Sequence, residues 1–186
     1  ALLVALVVVL ELLRPGIVNE RWIANTIKFA IPLAILAACQ TLTMLTGGID
    51  LSAGTVATMS AFILATQVTT HDPAVAILIA LLPAVLIGLA NGIGIGVFRV
   101  HPLIMTLGTS LIGTGILQVY QRTVIATGSE VPAFLAWLGT GRSYGVPNGL
   151  LLFVPLAALV MFTLRSTGFG RLLYAVGDNE RATRIA

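Results

Sequence analysis

AVAILIALLPAVLIGLANGIGIGVF, residues 74–98, contains no charged side chain and a single amide, that of Asn91. A helix needs about 20 predominantly apolar residues to cross the hydrocarbon core of a bilayer, and buried helices of soluble domains are usually shorter. The stretch therefore predicts a membrane-spanning helix. The chain on either side of it repeats the same pattern.

The composition of the whole chain agrees with a membrane protein. Of 186 residues, 58% are hydrophobic and 9% are charged, and the mean hydropathy is +1.03. A soluble domain is about a quarter charged. These values exclude a soluble enzyme domain, a nucleic-acid-binding module and a disordered tail. The excess of 10 Lys+Arg over 7 Asp+Glu fits arginines in membrane loops.

Six apolar runs with polar boundaries predict an all-α, polytopic bundle of about six transmembrane helices. A short stretch at 131–138 is predicted to be a helix lying at the membrane interface. Both ends of the sequence interrupt a pattern, so we expect a single membrane domain over 1–186 that is truncated at both ends. The six runs are 1–13, 27–46, 51–70, 74–98, 103–119 and 149–164.

Charged and aromatic residues suggest which loops face the cytoplasm. Four arginines lie within residues 165–186, and cytoplasmic loops carry an excess of Lys and Arg. Four aromatic residues occur in loops of the opposite side, where an outer interfacial belt would lie: Trp22, Tyr120, Trp137 and Tyr144. We therefore expect 165–186 to be cytoplasmic.

Small residues recur every four positions in the run 74–98. Faces of small residues let helices approach closely in lipid, so we predict that this ridge packs against a neighbouring helix. Asn91 on the same helix could line a path, but we predict that it forms an interhelical hydrogen bond. The ridge consists of Ala84, Gly88, Gly92 and Gly96.

A polar stripe with the same spacing follows in the run 103–119. Its hydroxyls could bond between helices or back to their own helix. They could also line a path for a neutral, polyhydroxylated solute, since neutral hydroxyls exchange hydrogen bonds without needing a counter-charge. The sequence leaves both interpretations open. The stripe consists of Thr106, Ser110, Thr114 and Gln118.

Asp50 is the acid that needs an explanation, because a charge within the membrane is costly. Gly47-Gly48 should end the preceding helix. Asp50 or Ser52 then stands where the N-cap of the next helix belongs, and a cap would place the carboxylate near free N–H groups. The alternative is a role in handling protons or cations.

The sequence lacks the residue patterns that nucleotide binding, metal binding and catalysis usually require. The chain contains no G-x-x-x-x-G-K-[ST] phosphate loop. Its two histidines, His71 and His101, cannot form an i, i+4 metal pair, and Cys39 is the only cysteine. We predict no catalytic residues, no metal site and no bound cofactor, and hence a protein that is not an enzyme.

Three stretches together resemble the inner-membrane permease subunit of ribose-type ABC carbohydrate importers. The residues matching the motif between the second and third helices are Gly47, Gly48, Asp50, Ser52 and Gly54. The second stretch joins Asn91-Gly92 to Val100–Thr109, and the third is Thr167–Ala182. Permeases of this family are longer, so the resemblance implies that the C-terminal helices are missing here.

The resemblance implies a multi-pass protein of the bacterial cytoplasmic membrane that translocates a ribose-like monosaccharide. It also implies three protein partners: a second permease chain in a homo- or heterodimer, a cytoplasmic ATPase subunit, and an extracytoplasmic solute-binding protein. Membrane lipid surrounds the chain, and no nucleic acid is expected. The residues implied to contact the ATPase are Gly168, Phe169, Gly170, Arg171, Gly177, Asp178, Asn179, Glu180 and Arg181.

From its residues alone, the third stretch is more typical of an ordinary arginine-rich cytoplasmic loop; with the resemblance, a coupling element is favoured. Asp178 or Asn179 could cap a short helix beginning near Glu180, and Gly177 before it is expected to need a positive φ. Two alternative functions remain. One is a branched-chain amino acid permease of the same superfamily, and the other is an ion-coupled secondary transporter. The sequence does not identify the sugar.

Overall fold

The computed structural model describes residues 2–124 and 128–183, with the side chains of residues 180–182 left out. The described chain is almost entirely helical, which confirms the all-α class and the six apolar runs. Its helices are α1 (Leu2–Leu13), α2 (Glu20–Leu45), α3 (Ala53–Gln67), α4 (Pro73–Gly96), α5 (Pro102–Val124), α6 (Ala133–Thr140), α7 (Leu150–Ser166) and α8 (Gly168–Thr183). Strands β1 (Arg142–Ser143) and β2 (Val146–Pro147) form an antiparallel hairpin.

Three of these helices, α2, α4 and α5, are long and apolar enough to cross a membrane. A fourth span exists only if α7 and α8 count as one, and that pair is bent by 71°. Helix α3 has 15 residues and is about 22 Å long, against about 30 Å of hydrocarbon core. By length, the described residues therefore provide three or four crossings, although all six predicted helices are present.

Local capping explains where α2 and α4 begin. Asn19 adopts an extended conformation before α2, and its side chain accepts a hydrogen bond from Trp22 N at 3.0 Å. This cap starts α2 several residues before the predicted boundary. Helix α4 begins with Pro73 directly after Asp72. Proline suits this first position because the N–H that it lacks would have no partner within the helix.

The helices pack in two groups. Helices α3, α4 and α5 form the closest cluster, and Met59, Ala80 and Leu117 are among its buried side chains. Helix α2 lies outside this cluster: it packs with α7 and strand β2, and its contacts with α3 and α8 are similar in extent. The chain passes from one group to the other through residues 46–52, which we call the connecting segment.

The glycine ridge of α4 does not pack as predicted. A Cβ atom added at Gly88, Gly92 or Gly96 would meet open space, whereas one at Gly94 would collide with Met105 of α5. The face of α4 that is buried in its group includes Ala76, Ala80, Asn91 and Gly94. Residues four apart drift by about 40° per step around an α-helix. A strict four-residue repeat therefore leaves the packed face, and this one turns toward an open cleft.

A helix is present where the interfacial helix was predicted: α6, shifted slightly to Ala133–Thr140. Its position at the membrane interface stays a prediction. Its exposed rings Phe134 and Trp137 stack with centroids 6.3 Å apart. Arg142 in the hairpin donates a 2.6 Å hydrogen bond to Asn25 Oδ1 of α2. Buried Asn148 donates to Trp137 O at 3.0 Å. These bonds hold α6 and the hairpin against the N-terminal half of α2.

Candidate functional site

A cleft of about 950 Å³ lies between α2 and α4, and the connecting segment forms part of its lining. Most of its lining is apolar, with a few polar groups, which is the usual composition of a small-molecule site. The exposed face of the glycine ridge and Cys39 line its walls. Its polar lining residues are Thr43, Thr46, Asp50, Ser52, Asn91, Arg99, His101 and Thr106.

On the α2 side, backbone hydrogen bonds hold the connecting segment. Gly47 has a φ of +75°, a conformation that glycine adopts without steric cost. Gly48 N then donates to Thr43 O at 3.0 Å. The Gln40 side-chain amide, oriented to satisfy both groups, donates to Asp50 O at 3.0 Å and accepts from Asp50 N at 3.3 Å. The break in α2 is therefore a defined turn.

On the α5 side, the Thr106 hydroxyl holds the same segment. Its Oγ1 lies 3.1 Å from Ile49 O and accepts a hydrogen bond from Leu51 N at 3.1 Å. It also lies 2.9 Å from Pro102 O in its own helix. Thr106 is only 2% exposed. One buried hydroxyl thus joins the connecting segment to the first turn of α5.

Asp50 is not the N-cap of α3, contrary to one form of the sequence prediction. Ser52 occupies the cap position, and its side chain makes no capping hydrogen bond. Asp50 Oδ1 instead accepts from Ser52 N at 2.8 Å and from Ser52 Oγ at 2.6 Å. Such side-chain-to-backbone bonds two residues on are typical of aspartate in turns. Asp50 shapes the approach to α3 from two residues before the cap.

The prediction that Asn91 bonds between helices is confirmed. Its Nδ2 donates to Ser52 Oγ at 2.9 Å, and its Oδ1 accepts from Thr109 Oγ1 at 2.8 Å. Asn91 is 7% exposed, so this pairing satisfies an amide buried among α3, α4 and α5. Thr109 was missed by the sequence analysis. Its position one turn after Thr106 on the same helix was the available signal.

The four residues of the polar stripe do not meet in one place. Ser110 Oγ and Thr55 Oγ1 lie 2.7 Å apart between α5 and α3. Thr114 donates back to Ser110 O at 2.9 Å, and Gln118 is exposed. Of the stripe, only Thr106 lines the cleft. A solute path along all four stays a prediction, and the geometry of Thr106 and Ser110 is that of bonding between elements.

Helix α8 approaches its neighbours through two glycines. A Cβ added at Gly170 would collide with the carbonyl oxygens of Thr163 and Leu164 at the end of α7. One at Gly177 would collide with Leu45 O at the end of α2. Gly177 lies inside α8 without a positive φ, so the expected conformational reason for this glycine is wrong. Close backbone approach is the actual reason.

The other residues of the predicted coupling loop differ in exposure and in backbone conformation along α8. Phe169, Leu172 and Tyr174 are exposed, as are Gly168, Arg171 and Asp178. Asn179 interrupts α8 with φ −157° and ψ 97°, at one of the two positions where a cap was predicted, and the cap itself stays a prediction. The side chains of Glu180 and Arg181 lie outside the described residues.

Comparison with known proteins places this arrangement in a family. The family model described as "Branched-chain amino acid transport system / permease component" matches residues 22–186. The chain belongs to this permease family. No solved structure matches the chain.

Similar curated proteins are named as sugar permeases. "Ribose import permease protein RbsC" of Escherichia coli is 32% identical over 99% of this chain and 58% of its own length. "Galactofuranose transporter permease protein YtfT" of the same species is 34% identical, over 84% of this chain and 46% of the relative. "Fructose import permease protein FrcC" of Rhizobium meliloti is 30% identical, over 83% and 45%.

The chain thus spans about 58% of the length of the ribose permeases that it matches. Its relatives are transport components from bacteria, and three or four of its helical spans have membrane length. The chain is a polytopic permease segment of the bacterial cytoplasmic membrane.

Proposed function

We propose that this chain forms part of the translocating subunit of an ABC importer for a monosaccharide. One observation carries the proposal: the connecting segment lines a cleft between two helix groups, and α8 contacts the helix that leads into that segment. A permease needs a solute passage and a mechanical link to its energy source. In this chain the passage and the link both involve the seven residues of the connecting segment, 46–52.

The cleft suits a neutral polar solute better than an ion. Its walls are mainly apolar, and its polar lining consists of four hydroxyl side chains and the Asn91 amide beside three ionisable residues, Asp50, Arg99 and His101. The carboxylate of Asp50 already accepts two hydrogen bonds from Ser52. Sugar specificity is supported by the names of the relatives, which are ribose, galactofuranose and fructose permeases.

The proposal includes three partners. A cytoplasmic ATPase subunit docks on the outer face of α8, where Phe169 and Leu172 are 61% and 58% exposed. The 71° bend between α7 and α8 directs α8 away from the membrane-spanning direction, as an element that meets a peripheral subunit requires. A second permease chain completes the passage, and an extracytoplasmic binding protein delivers the sugar. ATP hydrolysis takes place on the ATPase.

Uptake into proteoliposomes tests this function. The full gene product, reconstituted with its ATPase and binding protein, should accumulate one of ribose, fructose or galactofuranose in an ATP-dependent manner. Leucine should neither be taken up nor compete. Sugar uptake driven by an ion gradient without the ATPase would contradict the proposal in favour of a secondary transporter. ATP-dependent uptake of leucine alone would instead identify an amino acid permease.

A further inference from the structure

We infer that Thr106 is a positioning residue for transport, because its hydroxyl latches the connecting segment to α5 and so passes movement of α8 to the cleft. The inference rests on the proposed function and adds the route by which this chain couples its cytoplasmic helix to the solute passage. The route has three steps.

The first step runs from α8 to α2. Gly177 lies so close to Leu45 O that no side chain fits between the two backbones. Val176, beside it, lines the cleft. Because a backbone-to-backbone contact has no flexible side chain to absorb displacement, α8 cannot shift toward α2 without moving the end of α2. Close-packed elements transmit such displacements.

The second step runs from the end of α2 into the connecting segment. Thr46 ends α2, and Gly47 turns the chain with its positive φ. Gly48 N donates a hydrogen bond to Thr43 O, and the Gln40 amide bonds to the backbone of Asp50, so both residues are held to α2. The first part of the connecting segment therefore moves with α2, while its end leads into α3 of the other group.

The third step is the latch itself. The Thr106 hydroxyl has one proton and two acceptors within reach, Ile49 O at 3.1 Å and Pro102 O at 2.9 Å. Donation to Ile49 O fastens the segment to α5, and donation to Pro102 O is the usual bond of a threonine to its own helix. The proton can change acceptor without leaving the buried hydroxyl unpaired. Leu51 N still donates to the same oxygen at 3.1 Å, so this change loosens the hold on Ile49 while the bond from Leu51 keeps the segment on α5.

Isosteric replacement tests the latch. Thr106→Val keeps the shape and removes the hydroxyl, and Thr106→Ser restores it. Thr123→Val is the matched control, because Thr123 lies on the same helix, is exposed and bonds only to Tyr120 O of that helix. The readout is the amount of sugar transported per ATP hydrolysed by the full transporter in proteoliposomes.

We expect Thr106→Val to lower this ratio about fivefold, the lower end of what the loss of two hydrogen bonds to the segment would give, with ATP hydrolysis continuing. Thr106→Ser and Thr123→Val should stay close to wild type. A wild-type ratio in Thr106→Val would overturn the inference. If Thr106→Val does not accumulate in the membrane, Thr106→Ala together with Thr106→Ser provides the same comparison.

A second readout separates this inference from the proposed function. Cys39 is exposed and lines the cleft, so its rate of reaction with a small water-soluble thiol reagent reports on the cleft. Thr106→Val should change that rate and Thr123→Val should not, whatever solute the protein carries. Absence of ATP-dependent sugar uptake by the wild type refutes the proposed function. Equal Cys39 reactivity in the two variants refutes the latch.

Discussion

At the scale of single residues, Asp50 acts through one of its two carboxylate oxygens. Oδ1 accepts both the backbone N–H and the hydroxyl of Ser52, and an asparagine side chain offers the same acceptor. A negative charge is not required for that turn. Substitutions at Asp50 can therefore distinguish a structural role from a role in handling protons or cations.

We expect Asp50→Asn to retain most sugar uptake, because it keeps the oxygen that Ser52 uses. Asp50→Leu leaves two donors of Ser52 without this acceptor and should cost about 1–3 kcal/mol of stability, seen as a lower melting temperature in detergent. Uptake by the two variants in proteoliposomes decides the matter. Equal damage by Asn and Leu would indicate that the charge itself is used.

The location of the turn was predictable from the sequence because its causes are local. Gly47-Gly48 ends a helix, and a serine two residues after an aspartate suits the start of the next. The partners of Thr106 were not predictable. Ile49 and Leu51 lie 57 and 55 positions away in sequence, and the spacing of polar residues along one helix contains no information about what faces it.

At the scale of elements, the bounds of α4 were predicted correctly, but the face on which it packs was not. Its extent, Pro73–Gly96, matches the apolar run closely. The four-residue repeat suggested one packing surface, but Gly94, which interrupts that repeat, is the glycine that touches α5. Periodicity predicts a face only when its period matches the pitch of the helix, and a period of four exceeds 3.6.

Leucine at these two glycines should therefore have the opposite ranking from the one the repeat suggests. Gly94→Leu forces a side chain into Met105 and should destabilise the protein by about 1–3 kcal/mol, the usual cost of overpacking. Gly92→Leu enters the open cleft and should be milder in stability. Thermal melting in detergent compares them. An equal or larger loss in Gly92→Leu would show that another surface covers the ridge.

Helix α8 yields the prediction on coupling. Gly177→Val places a branched side chain against Leu45 O and should push α8 away from α2. We expect sugar uptake to fall about tenfold, within the usual range of coupling free energies, while ATP hydrolysis continues. Measuring both rates in the same proteoliposomes tests this. Normal uptake together with normal hydrolysis would remove Gly177 from the coupling route.

At the scale of the whole molecule, the two helix groups and the cleft between them were not predictable. Each helix could be recognised from its own residues, yet the choice of neighbours depends on distant contacts such as Arg142 with Asn25 and Gly177 with Leu45. Because the neighbours of α4 could not be inferred from its own residues, its glycine ridge was wrongly predicted to be buried. It lines the cleft because α2 stays outside the close cluster of α3, α4 and α5.

Thiol accessibility maps the cleft at this scale. After Cys39→Ala, a cysteine at Gly88 should react with small water-soluble reagents and be shielded by the transported sugar, because Gly88 lines the cleft. A cysteine at Ser110 should react at least tenfold more slowly than the one at Gly88, because position 110 faces Thr55 between α5 and α3. A tenfold difference in rate corresponds to about 1.4 kcal/mol. Faster labelling at Ser110 would return the polar stripe to the solute path.

The shortness of α3 has a consequence for the lipid around the protein. A helix of 15 residues leaves about 8 Å of an average hydrocarbon core uncovered. The surrounding bilayer can thin locally to match it, and such mismatch makes membrane proteins sensitive to acyl-chain length. Because α4 and α5 beside it have 24 and 23 residues, such thinning would be confined to the lipid that touches α3. Transport should then change with acyl-chain length, and the fatty-acid composition of the host membrane would affect the working rate of the permease.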